Sequence, residues 1–292
     1  MPSSSIEAAI QKKLCDHFTF IEQIKFSAVG GGSINEAYRI SFGNENIFCK
    51  VNSATKFPQL FIKEKAGLAL IRKQNIITVP SVIDCFEHDD QQLLLMEWIG
   101  EGERTERFWK KFGEELAVLH QQSADYFGLN EDNYMGSVPQ SNHQHQTWAS
   151  FFTAERLQPM IARCYEKSLL TKSHLHQFEK LRSGIEGLFE NEGPSLLHGD
   201  LWSGNFMCNQ NGDPVLIDPA VYYGHRSMDL AMTTLFGGFR SPFYEAYHYH
   251  FPFPANYKEQ WAICNLYPLL IHLYLFGSNY LPQIQSTLKQ FS

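Results

Sequence analysis

The chain has 292 residues, 43% hydrophobic and 14% aromatic, which is ample for a buried core and excludes disorder as the main state. A net charge of −7, from 24 basic and 31 acidic residues with no Lys/Arg block, argues against nucleic acid as a partner. The six cysteines show no CxxC or paired spacing, as in a reducing compartment.

The start, MPSSSIEAAIQKK, lacks the apolar run of a secretory signal. Strand patterns then dominate up to about residue 100. IKFSAVG alternates through Ile24, Phe26 and Ala28, INEAYRISF through Tyr38, Ile40 and Phe42, and IFCKV and QLLLMEW are two further candidates. Between the first two strands stand Gly30, Gly31 and Gly32, followed by Ser33. Glycines let backbone amides approach a phosphate, and successive N–H groups can form an anion-binding concavity. The same cluster also serves an ordinary hairpin, and the chain has no GxxxxGK[ST].

Lys50, in IFCKV, shares a strand face with Phe48, opposite Ile47, Cys49 and Val51. From Phe57 a helical stripe runs through Phe61, Glu64, Leu68 and Ile71, so Glu64 falls within the apolar face. An unpaired carboxylate there is costly, and a cationic partner is expected. Lys50 is the candidate by analogy with other two-lobed folds, since Lys63 and Lys65 project in other directions.

Past the connector EWIGEGE the apolar spacing turns helical, as in FGEELAVLH, where Phe112, Leu116 and Leu119 share a face. Further helices are expected over 147–167, 173–190, 226–236 and 256–277. NFMC and PVLID flank NQNGD, a hairpin signal. The longest apolar run, LYPLLIHLYLF from Leu266, is too short to span a bilayer. The expectation is a cytoplasmic, monomeric protein, a dimer being the alternative, with no membrane or nucleic-acid partner. A nucleotide-binding lobe over 1–98 and a helical lobe over 99–292 would hold a ligand between them.

The stretch SLLHGDLWSGNFMCNQNGDPVLIDPA carries Asp200, Asn205 and Asp218. Two hard oxygen ligands suit Mg²⁺, which shares its shell with phosphates and water. A separate carboxylate near an attacking hydroxyl can orient it and accept its proton. Each residue alone is also a common loop former. Trp202 could offer its ring to the C–H face of a sugar, or be a core residue. The local pairs His143/His145, His174/His176 and His248/His250 lack the further ligands of a metal site and read as solvated histidines. Arg156 reads first as a helix-surface or packing residue and second as a substrate contact. LWSGN lacks the glycine before serine that a nucleophile elbow needs, which argues against a serine hydrolase.

HGD, with Asn five residues after the Asp and then a strand-borne Asp, resembles the catalytic pattern of the small-molecule branch of the protein-kinase-like fold, alongside aminoglycoside and choline phosphotransferases. The longer words LLHGDLWSGNF, IDPAVYYGHRSMDLAMTTLFGGF, GGGSINEAYRI and TWASFFTAERLQP are similar to the fructosamine kinase (ketosamine-3-kinase) family, from about residue 8 to the C-terminus. The resemblance implies an α+β, two-lobed fold, with a small antiparallel-sheet N-lobe bearing one helix and a larger, mainly helical C-lobe. It makes Asp200 the catalytic base and Asn205 and Asp218 the ligands of Mg²⁺. Lys50, held by Glu64, would meet the phosphates of ATP with the loop Gly30 to Ser33, and the backbone of Met96, Glu97, Trp98 and Ile99 would meet the adenine. Trp202 and His198 would face the substrate.

Departures are also visible. Gly199 replaces the Arg of protein kinases, and Asp218-Pro219-Ala220 lacks the Phe-Gly pair of switchable kinases, so control by activation-loop phosphorylation is not expected. Ser33 stands where some relatives carry cysteine, and Ser227 where relatives often have an acidic residue. The implied activity is ATP-dependent phosphorylation of the sugar 3-hydroxyl of fructosamine or ribulosamine adducts on lysine or protein, hence deglycation. An aminoglycoside- or choline-type phosphotransferase and a catalytically silent ATP-binding module are the alternatives.

Overall fold

Period-two burial marks the strand Glu36–Phe42 of the first sheet. In this computed structural model, which describes residues 2–19, 23–30, 34–189 and 192–291, strands β1 (Lys25–Ala28), β2 (Glu36–Phe42) and β3 (Glu45–Ser53) precede helix α2 (Leu60–Lys73), and β4 (Val82–His88) and β5 (Gln91–Glu97) follow it. They pair antiparallel in the order β1-β2-β3-β5-β4. Ile47, Cys49 and Val51 face a core shared with Tyr38, Ile40, Leu93 and Leu95, closed by Ile10 and Leu14 of α1 (Ser4–His17). Lys50 therefore points to the opposite face.

The chain divides into two compact units, Met1–Glu103 with Met207–Asp218, and Arg104–Phe206 with Pro219–Ser292. Residue 98 thus falls inside the first unit, which also takes in most of a hairpin from the helical half of the chain. That hairpin pairs β9 (Phe206–Cys208) with β10 (Pro214–Leu216). Its turn is closed by Asn209 Oδ1, which accepts from the N–H groups of Asn211 and Asp213. The Leu216 N–H donates to the Thr78 carbonyl at 2.9 Å, tying the hairpin to the segment before β4.

In the second unit, α3 (Glu106–His120) packs on α8 (Ser241–His250). The helices meet at Gly113, where a Cβ would stand 2.1 Å from the Phe243 carbonyl oxygen. Short antiparallel pairs join β6 (Asn133–Met135) to β7 (Val138–Gln140), and β8 (Ser195–Leu197) to β11 (Tyr222–Gly224). α4 (Trp148–Phe151), α5 (Gln158–Glu166), α6 (Lys172–Leu188), α7 (Ser227–Leu235), α9 (Tyr257–Cys264), α10 (Leu266–Phe276) and α11 (Leu281–Phe291) complete it. Among the described residues, no helix is long and apolar enough to cross a membrane.

Three helix expectations need correction, each because of a proline. α2 begins at Leu60 rather than Phe57; Pro58 disfavours helical geometry at Phe57, and Gln59 takes a left-handed φ of 61°. The span 147–167 is interrupted by a π-helical turn, Phe152–Leu157. Pro159 has no N–H for the Glu155 carbonyl four residues back, and Arg156 Nη1 donates to that carbonyl at 3.2 Å instead. The span 256–277 breaks between α9 and α10 at Asn265, because Pro268 cannot donate to the Cys264 carbonyl.

The start of α7 is fixed by buried polar groups. Arg226 binds Glu192 through both carboxylate oxygens, at 2.8 and 2.6 Å, and donates to the carbonyls of Phe251 and Pro252. Ser227 Oγ donates to Gln260 Oε1 at 2.9 Å, a packing role for that position. His225 is fully buried, its Nδ1 accepts from the Ser227 N–H, and its Nε2 lies 3.3 Å from Glu192. Burial pushes its pKa down to about 4, against the pull of Glu192.

A histidine whose folded pKa is depressed stabilises the native state above its unfolded value and loses that contribution as pH falls. We therefore expect stability to drop between pH 6.5 and about 4 by on the order of 3 kcal/mol from this group. Urea titrations across that range should show a shallower decline for His225→Gln; an identical slope in the variant would contradict the assignment.

Candidate functional site

Two groups of polar side chains stand out, one in each unit. In the first, Lys50 leaves β3 toward α2 with 3% of its surface exposed. Its Nζ lies 2.7 Å from Glu64 Oε1 and 2.6 Å from Asp218 Oδ1. Glu64 sits among Phe61, Leu68 and Ile71, all buried. Burial alone would lower the lysine pKa, but Asp218 and Glu64 more than offset it and hold it up at about 12. Burial raises the Glu64 carboxyl to about 7, against the pull of Lys50. The ammonium is thus a fixed charge. Asp218, just past β10, turns through a left-handed φ of 54° and keeps 38% of its side chain open to solvent.

Gly30 lies at the end of the described part of the glycine loop, with open space where a Cβ would stand. The Val29 N–H donates to the Ala37 carbonyl, closing β1 on β2 behind it. Gly31, Gly32 and Ser33 lie outside the described residues. Met96 and Glu97 belong to β5, and the Glu97 N–H is already given to the Ser81 carbonyl at 2.8 Å. Trp98 and Ile99 follow the strand, with the Arg39 guanidinium 4.8 Å above the Trp98 ring.

In the second unit, β8 delivers the loop that carries His198, Asp200, Trp202 and Asn205. Asn205 Nδ2 donates to the Asp200 carbonyl at 2.8 Å and to Asp200 Oδ2 at 3.0 Å. With its nitrogen so engaged, Oδ1 is the Asn205 atom left to meet a ligand. Gly199 has φ 83°, and a Cβ there would stand 2.0 Å from the Ala220 oxygen, so only glycine fits. His198, expected to face a substrate, is instead wholly buried, with Nδ1 accepting from the Asp200 N–H. Its ring shapes the loop from within.

The residue that anchors this loop is Asp229 of α7, which sequence reasoning did not single out. Its carboxylate, 1% exposed, accepts from the N–H groups of His198 at 2.7 Å and Gly199 at 2.9 Å. His120 Nε2 stands 3.2 Å away, and His120 Nδ1 stands 2.8 Å from the Tyr247 hydroxyl. A carboxylate only accepts, so Nε2 carries the proton and Nδ1 accepts from tyrosine. An acidic residue inside the apolar helix SMDLAMTTL is the signal that could have found it, by the same logic that found Glu64.

Trp202 lies against Gly204, where a Cβ would come within 2.3 Å of its ring, and stands edge-on to Phe236 at 5.9 Å. Arg156 is a packing residue. It is fully buried, its guanidinium 4.1 Å from the Tyr222 ring centre and 4.5 Å from that of Phe151, with Nη2 donating to Asn142 Oδ1. His143 and His145 both face Glu155, and His174 caps α6 with Thr171. Among the described residues, no group of three or more His, Cys, Asp or Glu could hold a metal.

Comparisons with known proteins bear on this geometry. A family model described as "Fructosamine kinase" matches residues 3–292. A relative from Enterococcus faecium named "Probable ketoamine kinase" is 37% identical over 269 residues, covering 91% of this chain and 95% of its own. The crystal structure of a protein from Haemophilus somnus, described as "Putative fructosamine-3-kinase", aligns with a TM-score of 0.88 at 28% identity, over 97% of this chain and 96% of that one. An aminoglycoside phosphotransferase in ternary complex with ADP and hygromycin B aligns with a TM-score of 0.63 at 13% identity, over 96% and 98% of the two chains, a likeness of fold alone. The fold is protein-kinase-like, with an antiparallel sheet in the N-terminal part and a mainly helical remainder.

Removing the Asp229 carboxylate leaves two buried N–H groups without an acceptor. Asp229→Ala should lower the unfolding free energy by about 3–5 kcal/mol in urea denaturation; an unchanged midpoint would count against the anchor. Gly204→Ala should displace the Trp202 ring and change the tryptophan fluorescence, with the fold kept in far-UV circular dichroism.

Proposed function

Because the chain belongs to the fructosamine kinase family, we propose that this phosphotransferase moves the γ-phosphoryl group of ATP to the sugar 3-hydroxyl of a ketosamine. The acceptors are fructosamine or ribulosamine groups on lysine or protein. The observation that carries this reading is the Asp200–Asn205 pair on a loop pinned by Asp229. A carboxylate oriented by an amide is the element that phosphotransfer to an alcohol needs.

In the proposed mechanism Asp200 accepts a hydrogen bond from the acceptor hydroxyl and takes its proton as that oxygen bonds to phosphorus, while the bond to the ADP oxygen breaks. Lys50, protonated and immobilised by Glu64, neutralises charge on the phosphates. By the family resemblance the glycine loop that begins at Gly30 would give backbone N–H groups to the phosphates, and the backbone of Trp98 and Ile99 would meet the adenine. Catalysis of this kind is chiefly positioning and electrostatic stabilisation.

By the family resemblance Asp218 and Asn205 would each give Mg²⁺ an oxygen ligand, and the chemistry of each residue suits that role. Asp218 offers a part-exposed carboxylate and Asn205 an amide oxygen whose nitrogen is already engaged, and Mg²⁺ takes few protein ligands and keeps the rest of its shell for phosphate and water. When bound, the cation would supply positive charge against the phosphates as negative charge develops there. Phosphate at C3 of a ketosamine is lost by elimination after enolisation toward the aminated carbon, and hydrolysis then frees the amine. Such an enzyme would reverse glycation.

An ATP-dependent assay on ribulosyl-lysine and fructosyl-lysine tests the reading. The wild type should release ADP with both the ketosamine and Mg²⁺ present. Asp200→Ala should lower kcat by about 10²–10⁴, and Lys50→Met should also cripple turnover. Turnover by Asp200→Ala close to wild type would refute the base assignment. Phosphorylation of choline with none of either ketosamine would overturn the substrate class.

A further inference from the structure

Beside Trp202 the second unit exposes a run of aromatic rings that phosphoryl transfer does not use. Phe236 contacts the Trp202 ring edge-on, at 5.9 Å, and lies 4.8 Å from the His272 ring. His272 in turn lies 5.5 Å from Phe276 and 5.0 Å from Tyr280. Phe236 and Phe276 are among the few exposed large apolar side chains of the described residues, 39% and 51% exposed. Exposed rings joined through the part-buried His272 are unfavourable in water and mark a surface that meets a ligand. Its place beside the loop is fixed: Gly237 and Gly238 take left-handed φ values, and a Cβ on Gly238 would stand 2.5 Å from Ser203 Cβ, so the Phe236 segment packs directly on the loop of Trp202.

The patch has the chemistry of a cation site. His272 Nδ1 lies 2.7 Å from the Pro268 carbonyl oxygen. A carbonyl only accepts, so Nδ1 carries the proton and Nε2 of the neutral ring is a lone-pair acceptor. Burial lowers the His272 pKa, with the Pro268 carbonyl opposing, which favours that neutral form. The rings present π faces, which attract ammonium groups. His272 and Phe276 also lie near the C-terminal end of α10, whose last turn holds no basic residue and whose dipole favours a positive charge.

We propose that Phe236, His272, Phe276 and Tyr280 seat the ammonium-bearing, amine-derived part of the ketosamine while Trp202 meets its sugar. This inference rests on the kinase reading for the identity of the substrate. A ketosamine differs from the parent ketose in carrying a protonated secondary amine beside the sugar. His272 Nε2 accepts one of its N–H groups and the rings take its charge and the adjoining methylenes. The patch is then what separates a ketosamine from a free sugar.

Binding measured without turnover tests this independently of the chemistry. Isothermal titration of ribulosyl-lysine and of ribulose, each with ADP and Mg²⁺ present, should show the wild type binding the ketosamine at least about tenfold more tightly than the ketose. His272→Phe keeps a ring and removes the acceptor, and Phe236→Ala removes an exposed ring. Each should erase most of that preference while ribulose binding and the thermal midpoint stay near wild type. Variants that keep the full preference, or lose affinity for ketose and ketosamine alike, would overturn the inference, as would a wild type without the preference. A wild type that shows the preference and phosphorylates neither ligand would sink the kinase reading and leave this one standing.

Discussion

Lys50 Nζ stands 2.7 Å from one carboxylate and 2.6 Å from another, with almost none of its surface in water. An ammonium so buried persists only with partners in place, and the first unit is arranged around that requirement. β3 supplies the lysine from the face opposite the α1 core, α2 brings Glu64 inside its apolar stripe, and the hairpin of β9 and β10 ends on Asp218. A buried ion pair of this kind is weak evidence for stability, since desolvation offsets much of its attraction. Its value lies in holding one charge at one place for the phosphates the proposed reaction needs.

The second unit applies the same constraint to an anion. Asp229 is buried in α7 and is satisfied only because two backbone N–H groups of the His198–Gly199 turn and the His120 ring all point at it. Gly199 permits the turn, Asn205 then orients Asp200, and Trp202 rests on Gly204. A chemistry that works by positioning reactants asks for loops that cannot drift, and Asp229 ties this one at two backbone N–H groups. Where the loop opens toward Phe236 and His272 the character changes to exposed rings, suited to holding a ligand.

Local periodicity made much of this legible. The alternation in INEAYRISF gave β2, the short apolar run in QLLLMEW gave β5, the Asn-Gly signal gave the hairpin, and a glutamate in an apolar stripe called for a cation. What stayed hidden was set by distant partners. β8 and β11 are three residues each and exist because they pair across the loop, a fact no window of sequence contains. α1, β4, α8 and α11 carry weaker or shorter patterns and are fixed by burial against the rest of their units. The π-helical turn follows from Pro159 only once the Arg156 side chain is seen at the freed carbonyl. His198 reads as a loop residue open to ligand, yet it is buried because the backbone folds over it to reach Asp229.

The most direct measurement is proton-correlated phosphorus NMR of the product formed from ATP and ribulosyl-lysine. The account predicts a new phosphomonoester whose phosphorus couples to the single proton on C3 of the sugar, formed by the wild type and absent with Asp200→Asn. An ester on the terminal CH₂, or inorganic phosphate with no ester intermediate at any time, would contradict it.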